Sequence, residues 1–383
     1  MNDPAWEHAR NILCIRLDAL GDVLMTTPAI RALKDGAPGR HITLLTSPSG
    51  AVAAPYLPMV DDVIVYESPW MKACAQRASA APELAMAARL GELRFDAAVL
   101  FTVYSQSPLP SALLCHLAGI PLRLAHCREN PYQLLTHWQP ELEPERLARH
   151  EVQRQLDLVA AIGCQTPDPR LAFAVPPEAH RHIQTLLGAE HFDEGAPWVV
   201  IHPGATAPSR RYPPACFAAA ADALAQAHGW RIVLTGGPDE EAMVASVAAH
   251  MQAPAVNFAG RLSLAEMGAL LAAAPLLIAN NTGPIHLAAA VGTPVVDLYA
   301  LTNPQHTPWA VPHLVLNHDV PCKYCYKSIC PAGHHDCLRL VEPDAVVAAA
   351  LALTGCQRAR PRPVAAYGLA DASSSLGESS CTL

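Results

Sequence analysis

The sequence ILCIRLDALGDVL occupies residues 12–24, near the start of the chain. Ile12 to Leu17 is a short apolar run that predicts a strand, and Gly21 follows it in a turn. From Val23 to Leu33 the apolar residues recur at helical spacing. A strand that enters a glycine turn and then a helix begins a βαβ unit, so this stretch indicates an α/β fold.

The same alternation continues along the first half of the chain. Apolar runs predict strands at His41 to Thr46, Asp62 to Tyr66 and Ala97 to Thr102, and Ala81 to Leu93 has helical spacing. Strands that alternate with helices form mostly parallel sheets covered by helices on both faces. We therefore expect a doubly wound parallel sheet in this half.

A cluster of prolines interrupts the pattern in mid-chain. Pro167, Pro169, Pro176 and Pro177 break helices and strands, and they predict an interdomain connection. The pattern then restarts, with strands predicted at Trp198 to His202, Arg231 to Thr235, Leu276 to Ala279 and Val295 to Tyr299, and helices at Pro214 to His228, Glu240 to Met251 and Ile285 to Val291. The sequence thus predicts a first domain at residues 1–165, a linker at 166–196, a second domain at 197–356 and a disordered tail at 357–383.

The composition is that of a globular protein without a basic character. The chain has 383 residues, which suggests two domains at about 150 residues each. Its 26 Lys and Arg against 34 Asp and Glu give a net charge of −8, which argues against a general nucleic-acid footprint. No apolar run reaches the roughly 18 residues that span a bilayer. The first ten residues lack the order of an export signal, so we expect a cytoplasmic protein.

Two carboxylates follow the first predicted strand. Asp18 and Asp22 flank Gly21, and the loop after this strand faces the ligand crevice of an open α/β sheet. Asp22 could simply favour or cap the positive end of the helix. It could also take the proton of a hydroxyl group that attacks a substrate, and Asp18 is an equally available carboxylate for that role.

A polar loop follows the predicted strand at Leu276 to Ala279. Thr282 suits the residue before a helix and Pro284 suits its first turn, so the free backbone N–H groups there form a phosphate-sized anion site. His286 falls in the first turn of the helix and faces either the cleft or the core.

Two further loops carry charge in the second half. Arg210 and Arg211 follow a Gly/Thr turn and could bind a diphosphate without a metal, or they could be a solvated surface pair. Glu240 follows another strand and could accept hydrogen bonds from a ribose, although it could equally be an ordinary acid at a helix N-terminus.

Three segments, taken together, carry a specific resemblance. They are IRLDALGDVL at 15–24 with TPAI at 27–30, PGA at 203–205 with RRYP at 210–213, and NTGPIHLA at 281–288 with GTPV at 292–295. In this order, between about residues 11 and 354, they resemble glycosyltransferase family 9, which includes the ADP-heptose:lipopolysaccharide heptosyltransferases.

The resemblance implies a GT-B architecture, in which two Rossmann-like, doubly wound parallel-sheet domains face a central cleft. The acceptor would bind mainly to the first domain and the nucleotide sugar mainly to the second. The reaction would be an inverting, metal-independent transfer of a heptose or related sugar from ADP-heptose to a lipopolysaccharide core or another bacterial surface glycan. No cofactor would be required, and a lipid-linked acceptor would allow peripheral contact with the inner membrane without a spanning segment.

The family template also implies roles for individual residues. Asp22 matches the general base, with Asp18 and Gly21 on the acceptor side. The donor-binding candidates are Thr206, Arg210, Arg211, Glu240, Asn281, Thr282, Gly283 and His286. The chain departs from many relatives at Asn281, where they have Asp, so a charged acceptor for a sugar hydroxyl becomes an amide. This departure concerns the identity of the donor sugar.

One cysteine-rich segment stands apart from these motifs. It contains Cys322, Cys325, Cys330 and Cys337, with His334 and His335 among them. This density is typical of a structural zinc or iron site, although the spacings are not those of a standard finger or ribbon. Reduced structural thiols and reversible disulfides are the alternatives.

Three other functions fit parts of this pattern. A transferase could use a different nucleotide sugar. A nucleotide-sugar epimerase of the same fold would need acid and base groups around the sugar but no acceptor pocket. A non-catalytic protein could keep the fold and use its cysteine segment as a metal or redox sensor.

Overall fold

Two six-stranded sheets, all of whose strand pairs are parallel, make up the core of the protein. The structure is a computed structural model that describes residues 4–71, 74, 78–190, 192 and 197–356. The sheets confirm the predicted α/β architecture of two doubly wound parallel sheets. The tail predicted at 357–383 lies outside the described residues.

The first sheet has the order β3-β2-β1-β4-β5-β6. Its strands are β1 (Asn11–Arg16), β2 (His41–Thr46), β3 (Asp62–Val65), β4 (Ala97–Leu100), β5 (Leu122–Cys127) and β6 (His137–Pro140). The central strand β1 pairs with β2 from Asn11 opposite His41 to Arg16 opposite Thr46. Because helices cover both faces, nearly every residue of β1 and β4 is buried, which explains their continuous apolar runs.

The second sheet repeats this topology in the order β12-β11-β10-β7-β8-β9. Its strands are β7 (Trp198–His202), β8 (Arg231–Leu234), β9 (Ala255–Asn257), β10 (Leu277–Asn280), β11 (Val295–Leu298) and β12 (His313–Leu316). In each sheet the strand order reverses beside the first strand, between β1 and β4 or between β7 and β10. Ligands bind at such reversals, so the loops after these strands are the expected site.

The helices that cover the sheets are α1 (Pro4–His8), α2 (Leu20–Asp35), α3 (Pro48–Ala51), α4 (Ala81–Glu92), α5 (Leu109–Leu117), α6 (Glu151–Ala160), α7 (Pro177–Ala189), α8 (Pro214–His228), α9 (Glu241–His250), α10 (Leu264–Ala273), α11 (Gly283–Val291), α12 (Asp336–Arg339) and α13 (Pro343–Cys356). None of the helices in the described ranges combines the length and the apolarity that crossing a membrane requires.

Helices α2 and α11 join the two halves. They pack directly against each other, and one apolar cluster runs through both, from Val23 and Ile30 on α2 to Ile285 and Ala288 on α11. The N-termini of both helices lie at the reversal points of their sheets. This contact therefore brings the two sets of site loops face to face.

The stretch predicted to be a linker contains regular structure. Helix α7 occupies Pro177–Ala189, packs against α10 of the second half and buries Ala179 and Ile183. The prolines before it do not break the helix, because Pro177 occupies its first turn, where a missing N–H group costs nothing. The division of the chain at residues 165 and 197 stays a prediction.

Candidate active site

A buried arginine organises the end of the first strand. Arg16 ends β1 and is fully buried. Its guanidinium contacts three carboxylates, those of Asp18 at 3.0 Å, Asp22 at 3.1 Å and Glu151 at 2.8 Å. Burial alone would lower the pKa of Arg16, but the three carboxylates outweigh it and raise that pKa. The arginine therefore stays charged and fixes the carboxylates around it.

The contacts of Asp22 allow both roles considered from the sequence, capping of the helix and acceptance of a hydroxyl proton. Its Oδ2 accepts a hydrogen bond from the backbone N–H of Ala19 at 3.3 Å, which satisfies a free donor at the start of α2. Its Oδ1 accepts from Nη2 of Arg16. The side chain keeps 22% of its surface exposed, so a substrate hydroxyl can reach it.

Asp18 is a different kind of carboxylate. It is more buried than Asp22, and its Oδ1 accepts a hydrogen bond of 2.7 Å from Nε2 of Gln106. Burial is the main cause that raises its pKa to about 6, and Asp22 adds to this effect, whereas Arg16 and Gln106 oppose it. Asp18 therefore gains a proton in mildly acidic solution.

Gly21 allows the two halves to touch. A Cβ atom at this position would lie 2.8 Å from Cδ2 of His286 and 3.6 Å from Cα of Gly283. Since both neighbours belong to α11, Gly21 is required by the close approach of the two helix N-termini rather than by an unusual backbone angle.

The loop before α11 leaves its helix N-terminus open. Thr282 stands at the capping position, as the sequence predicts, but its side chain caps no backbone N–H group and instead donates to the carbonyl of Asn280 at 3.3 Å. Asn280 is buried, donates to the carbonyl of Pro203 and accepts from the backbone N–H of Tyr212, so it holds this loop against the loop after β7. Uncapped N–H groups at a helix N-terminus suit an anion.

Asn281 points away from this open turn. Its Nδ2 donates to Oδ2 of Asp297 at 2.9 Å and to the carbonyl of His306 at 2.8 Å. Asp297 is fully buried, and burial raises its pKa to about 8, while Asn281 opposes this rise. The Nδ2 group of Asn281 therefore links strand β11 to the loop that contains His306.

His286 is buried in the first turns of α11, between the two halves. Burial lowers its pKa well below the usual value, and the neighbouring charges of His306, His150 and Arg210 lower it further. Its Nδ1 has no hydrogen-bond partner in the described part of the chain. A neutral imidazole with a free ring nitrogen is thus available at the cleft.

The adjacent arginines separate into two roles. Arg211 donates to the carbonyls of Ala205 at 2.7 Å and Thr206 at 3.4 Å, which braces its own loop. Arg210 has no side-chain partner among the described residues, and its charge acts on His286 and on Asp297. Arg210 is therefore the arginine that remains free to bind an anion in the cleft.

A cavity of about 390 Å³ extends from Gly21 and Gly283 toward Glu240. Glu240 accepts from the backbone N–H of Gly237 at 2.9 Å and lies 3.2 Å from Nε2 of His202. The hydrogen bond from His202 is the main cause that lowers its pKa, so Glu240 is an acceptor. Apolar side chains form another wall of the cavity, namely Phe258, Leu262, Leu264 and Met267. This combination suits a flat apolar ring joined to a hydroxylated group.

The cysteine segment lies beside the arginine loop. Ser209 donates from its hydroxyl to the carbonyl of Lys327 at 2.8 Å and from its backbone N–H to that of Ser328 at 3.1 Å. The thiols themselves are free and half-buried; they are Cys322, Cys325, Cys330 and Cys337. Across the described ranges, no three or more His, Cys, Asp or Glu side chains are placed to hold one metal ion. A zinc or iron site in this segment stays a prediction.

The comparisons with known proteins agree with this geometry. The family model of glycosyltransferase family 9 (heptosyltransferase) matches residues 84–335. The chain belongs to glycosyltransferase family 9. It is 28% identical over 301 residues to lipopolysaccharide heptosyltransferase 3 of Escherichia coli, which covers 74% of this chain and 81% of that one. Family 9 membership confirms the resemblance and makes the protein a glycosyltransferase, which favours a transferase over the epimerase and sensor alternatives.

Solved structures of family 9 proteins share the fold. The glycosyl transferase family 9 protein of Veillonella parvula superposes with a TM-score of 0.75 at 23% identity, over 90% of this chain and 97% of that one. The ADP-heptose lps heptosyltransferase II of E. coli gives a TM-score of 0.70 at 23% identity, over 91% of this chain and all of that one. These matches confirm the GT-B architecture.

Several site residues were not found from the sequence. Glu151 and Gln106 are distant in the chain from the carboxylates they hold, and His306 and Asp297 follow no motif. Only Arg16 carried a signal, since a charged residue at the end of a buried strand needs buried partners.

The contact at Gly21 predicts that Gly21→Ala is destabilising. The added methyl group would press on His286, and overpacking of this kind costs about 1–3 kcal/mol. Thermal or urea unfolding measures the change. Gly188→Ala, on α7 with open space around it, is the matched control and should be neutral or slightly stabilising. Equal stability of Gly21→Ala and the wild type would contradict a tight contact.

The pairing of Asn281 with Asp297 predicts a second effect on stability. Asn281→Asp removes two buried N–H donors and places two carboxyl groups together, so it should cost about 2–4 kcal/mol. The loss should grow from pH 6 to pH 9, because both carboxyls then lose their protons. The double variant Asn281→Asp, Asp297→Asn restores an amide beside a carboxyl and should recover most of the loss in urea unfolding. A double variant no more stable than the single one would contradict the pairing.

Proposed function

We propose that this family 9 glycosyltransferase moves a heptose or related sugar from ADP-heptose to a lipopolysaccharide core or another bacterial surface glycan, with inversion and without a metal ion. The observation that carries this proposal is the position of Asp22. Its partly exposed carboxylate stands in the first turn of α2, where the neighbouring Gly21 touches the open N-terminal turn of α11. A base thus faces an anion-binding turn across the contact between the halves.

The second half supplies a site for the nucleotide. The cavity beside Glu240 fits a nucleoside, with the apolar wall against the base and the carboxylate of Glu240 toward the ribose hydroxyls. The diphosphate would lie between this cavity and the cleft, on the open turn of Thr282 and Gly283. Thr206 lines the same cavity and lies on the loop that Arg211 braces.

Hydrogen-bond donors and a cation of the protein can stabilise the negative charge of the diphosphate leaving group. As the bond between the sugar and the diphosphate breaks, negative charge grows on the diphosphate oxygen. Arg210 and the N–H groups at the start of α11 would stabilise this charge, with His286 as a neutral donor beside them. Such preorganised donors perform the task that a divalent cation performs in other transferases.

The proton of the acceptor would pass to Asp22. The acceptor oxygen attacks the anomeric carbon from the face opposite the diphosphate, the bond to the diphosphate breaks, and the hydroxyl proton moves to the carboxylate. Arg16 holds this carboxylate in place. Asp18 is the weaker candidate, because it is more buried and its Oδ1 is already bonded to Gln106.

A smaller polar cavity in the first half suits the acceptor. It measures about 190 Å³ and is lined by Tyr104, Gln106, His126 and Arg128. Gln106 donates to Asp18, the carboxylate that shares Arg16 with the proposed base, Asp22. Hydroxyl-rich sugars need such hydrogen-bonding walls. If the acceptor is lipid-linked, the enzyme would work as a peripheral protein at the inner face of the membrane.

The role of Asp22 is tested with purified protein, ADP-heptose and a panel of truncated core acceptors. Asp22→Asn should lower turnover by about 10²–10⁴-fold while ADP affinity stays the same, because an amide cannot take the proton. Turnover is followed as acceptor-dependent ADP release and as the mass added to the acceptor.

Two variants serve as controls for Asp22. Asp35→Asn, at the exposed end of the same helix, should leave turnover unchanged. Asp18→Asn should reduce turnover less than Asp22→Asn; the reverse order would transfer the role of base to Asp18. If the enzyme turns over another nucleotide sugar but not ADP-heptose, the proposed donor is wrong and the assignment as a glycosyltransferase stands.

The separation of the arginines gives a further prediction. Arg210→Ala should weaken ADP binding by about 10- to 100-fold in titration calorimetry, the cost of a lost charge-assisted hydrogen bond. Arg211→Ala should change ADP affinity by less than about threefold, because its donors bond to its own loop. Equal losses in the two variants would show that the loop binds the nucleotide through both arginines.

A further inference from the structure

The loop at residues 299–311 is fixed by both halves of the protein. From the first half, the carbonyl of Arg149 and the carboxylate of Glu143 accept hydrogen bonds from Nε2 of Gln305, and the backbone N–H of Glu151 donates to the carbonyl of Gln305 at 3.0 Å. From the second half, Asn281 donates to the carbonyl of His306 at 2.8 Å. The backbone of His306 is therefore held in one place between the halves.

The side chain of His306 has an unsatisfied nitrogen. Its Nε2 is buried and has no hydrogen-bond partner in the described part of the chain. The charges that act on the ring come from Asp22, Glu151, Arg210 and Arg16. The ring therefore lies close enough to the proposed base of one half and to the free arginine of the other to feel both charges.

Two more polar groups without partners lie around the same point. Nδ1 of His286 is buried and unpaired among the described residues, and the guanidinium of Arg210 has no bond there either. His306 is the strongest charge neighbour of His286. Buried polar groups in folded proteins nearly always have partners, so the two unpaired imidazole nitrogens beside this half-buried arginine indicate groups that await a ligand.

We propose that His306 binds the sugar that is transferred, with Nε2 hydrogen-bonded to one of its hydroxyl groups. This inference rests on the proposed function, because a sugar in transfer must lie between the base at Asp22 and the diphosphate at Arg210. Burial lowers the pKa of His306, and a neutral imidazole suits a hydroxyl group better than an ion. The family template assigns no role to this residue.

The proposal requires a local opening between the N-termini of α2 and α11, while the bonds of the loop to both halves are kept. Nε2 of His306 is shielded here, and Gly21 lies against His286 and Gly283. A sugar reaches the ring only when the N-terminus of α2 moves away from that of α11. The bonds of Gln305 and Asn281 keep the loop itself in place on either side of the ring.

The test compares His306→Ala and His306→Gln with the wild type and with His228→Ala, an exposed histidine on α8. For transfer from ADP-heptose, His306→Ala should lower kcat/KM by about tenfold, the effect of one lost hydrogen bond, and His306→Gln should retain more. ADP carries no sugar, so its affinity in calorimetry should change by less than about twofold. Thermal unfolding checks that each variant is folded.

Donors that lack one hydroxyl group identify the contact. For one such monodeoxy ADP-heptose, the wild type and His306→Ala should have equal kcat/KM, because the group that His306 binds is absent. The proposal fails if His306→Ala lowers ADP affinity as much as kcat/KM, or if it leaves kcat/KM unchanged. It also fails if His306→Ala has a lower kcat/KM than the wild type with every monodeoxy donor.

A binding measurement separates this proposal from the proposed function. If the wild type transfers no sugar, the affinities of ADP-, GDP-, UDP- and CMP-linked sugars are compared with those of the nucleotides alone. A gain in affinity from the sugar that disappears in His306→Ala supports the role of His306 even though the proposed reaction fails. If no attached sugar raises the affinity of the wild type for a nucleotide, both the role of His306 and the proposed function are overturned.

Discussion

The fixed point of this structure is the buried guanidinium of Arg16. A buried charge is tolerated only with partners, and Arg16 has three in Asp18, Asp22 and Glu151. These come from the loop after β1, the start of α2 and the start of α6, so one side chain sets the position of three elements. Glu151 extends this unit to the second half, because its backbone N–H bonds to Gln305. The geometry of the cleft therefore depends on the Arg16 guanidinium and its three carboxylate partners.

The central strands were predictable because burial on both faces leaves a plain signal. Strands β1 and β7 read as apolar runs, and the structure places them within a residue of the predicted bounds. Two of the edge strands, β6 and β9, gave no such signal. Strand β6 has the sequence HWQP and β9 has AVN, and each pairs on one side only and is partly exposed. Their position is set by a neighbouring strand rather than by their own residues.

The site was predictable as a set of loops but not as a set of contacts. The sequence singled out Asp22, Arg210 and His286. The contact of α2 with α11 brings Asp22 and His286 together, and Asn280 ties the loop of Arg210 to the loop before α11. Adjacent arginines look alike in a sequence, and only the carbonyls around Arg211 show that it is already bonded. The partners of Arg16 lie up to 135 residues away, which no local pattern reveals.

The carboxyl group of Asp297 explains why an amide suits position 281, since the Nδ2 group of Asn281 donates a hydrogen bond to it. Asn281 uses its Nδ2 on Asp297 and on the carbonyl of His306, so it can offer a ligand only the weaker, uncharged acceptor Oδ1. A carboxyl group at 281 would stand against Asp297, whose pKa burial already raises to about 8. Asn281 therefore anchors the loop at residues 299–311, the loop that we propose presents His306 to the sugar.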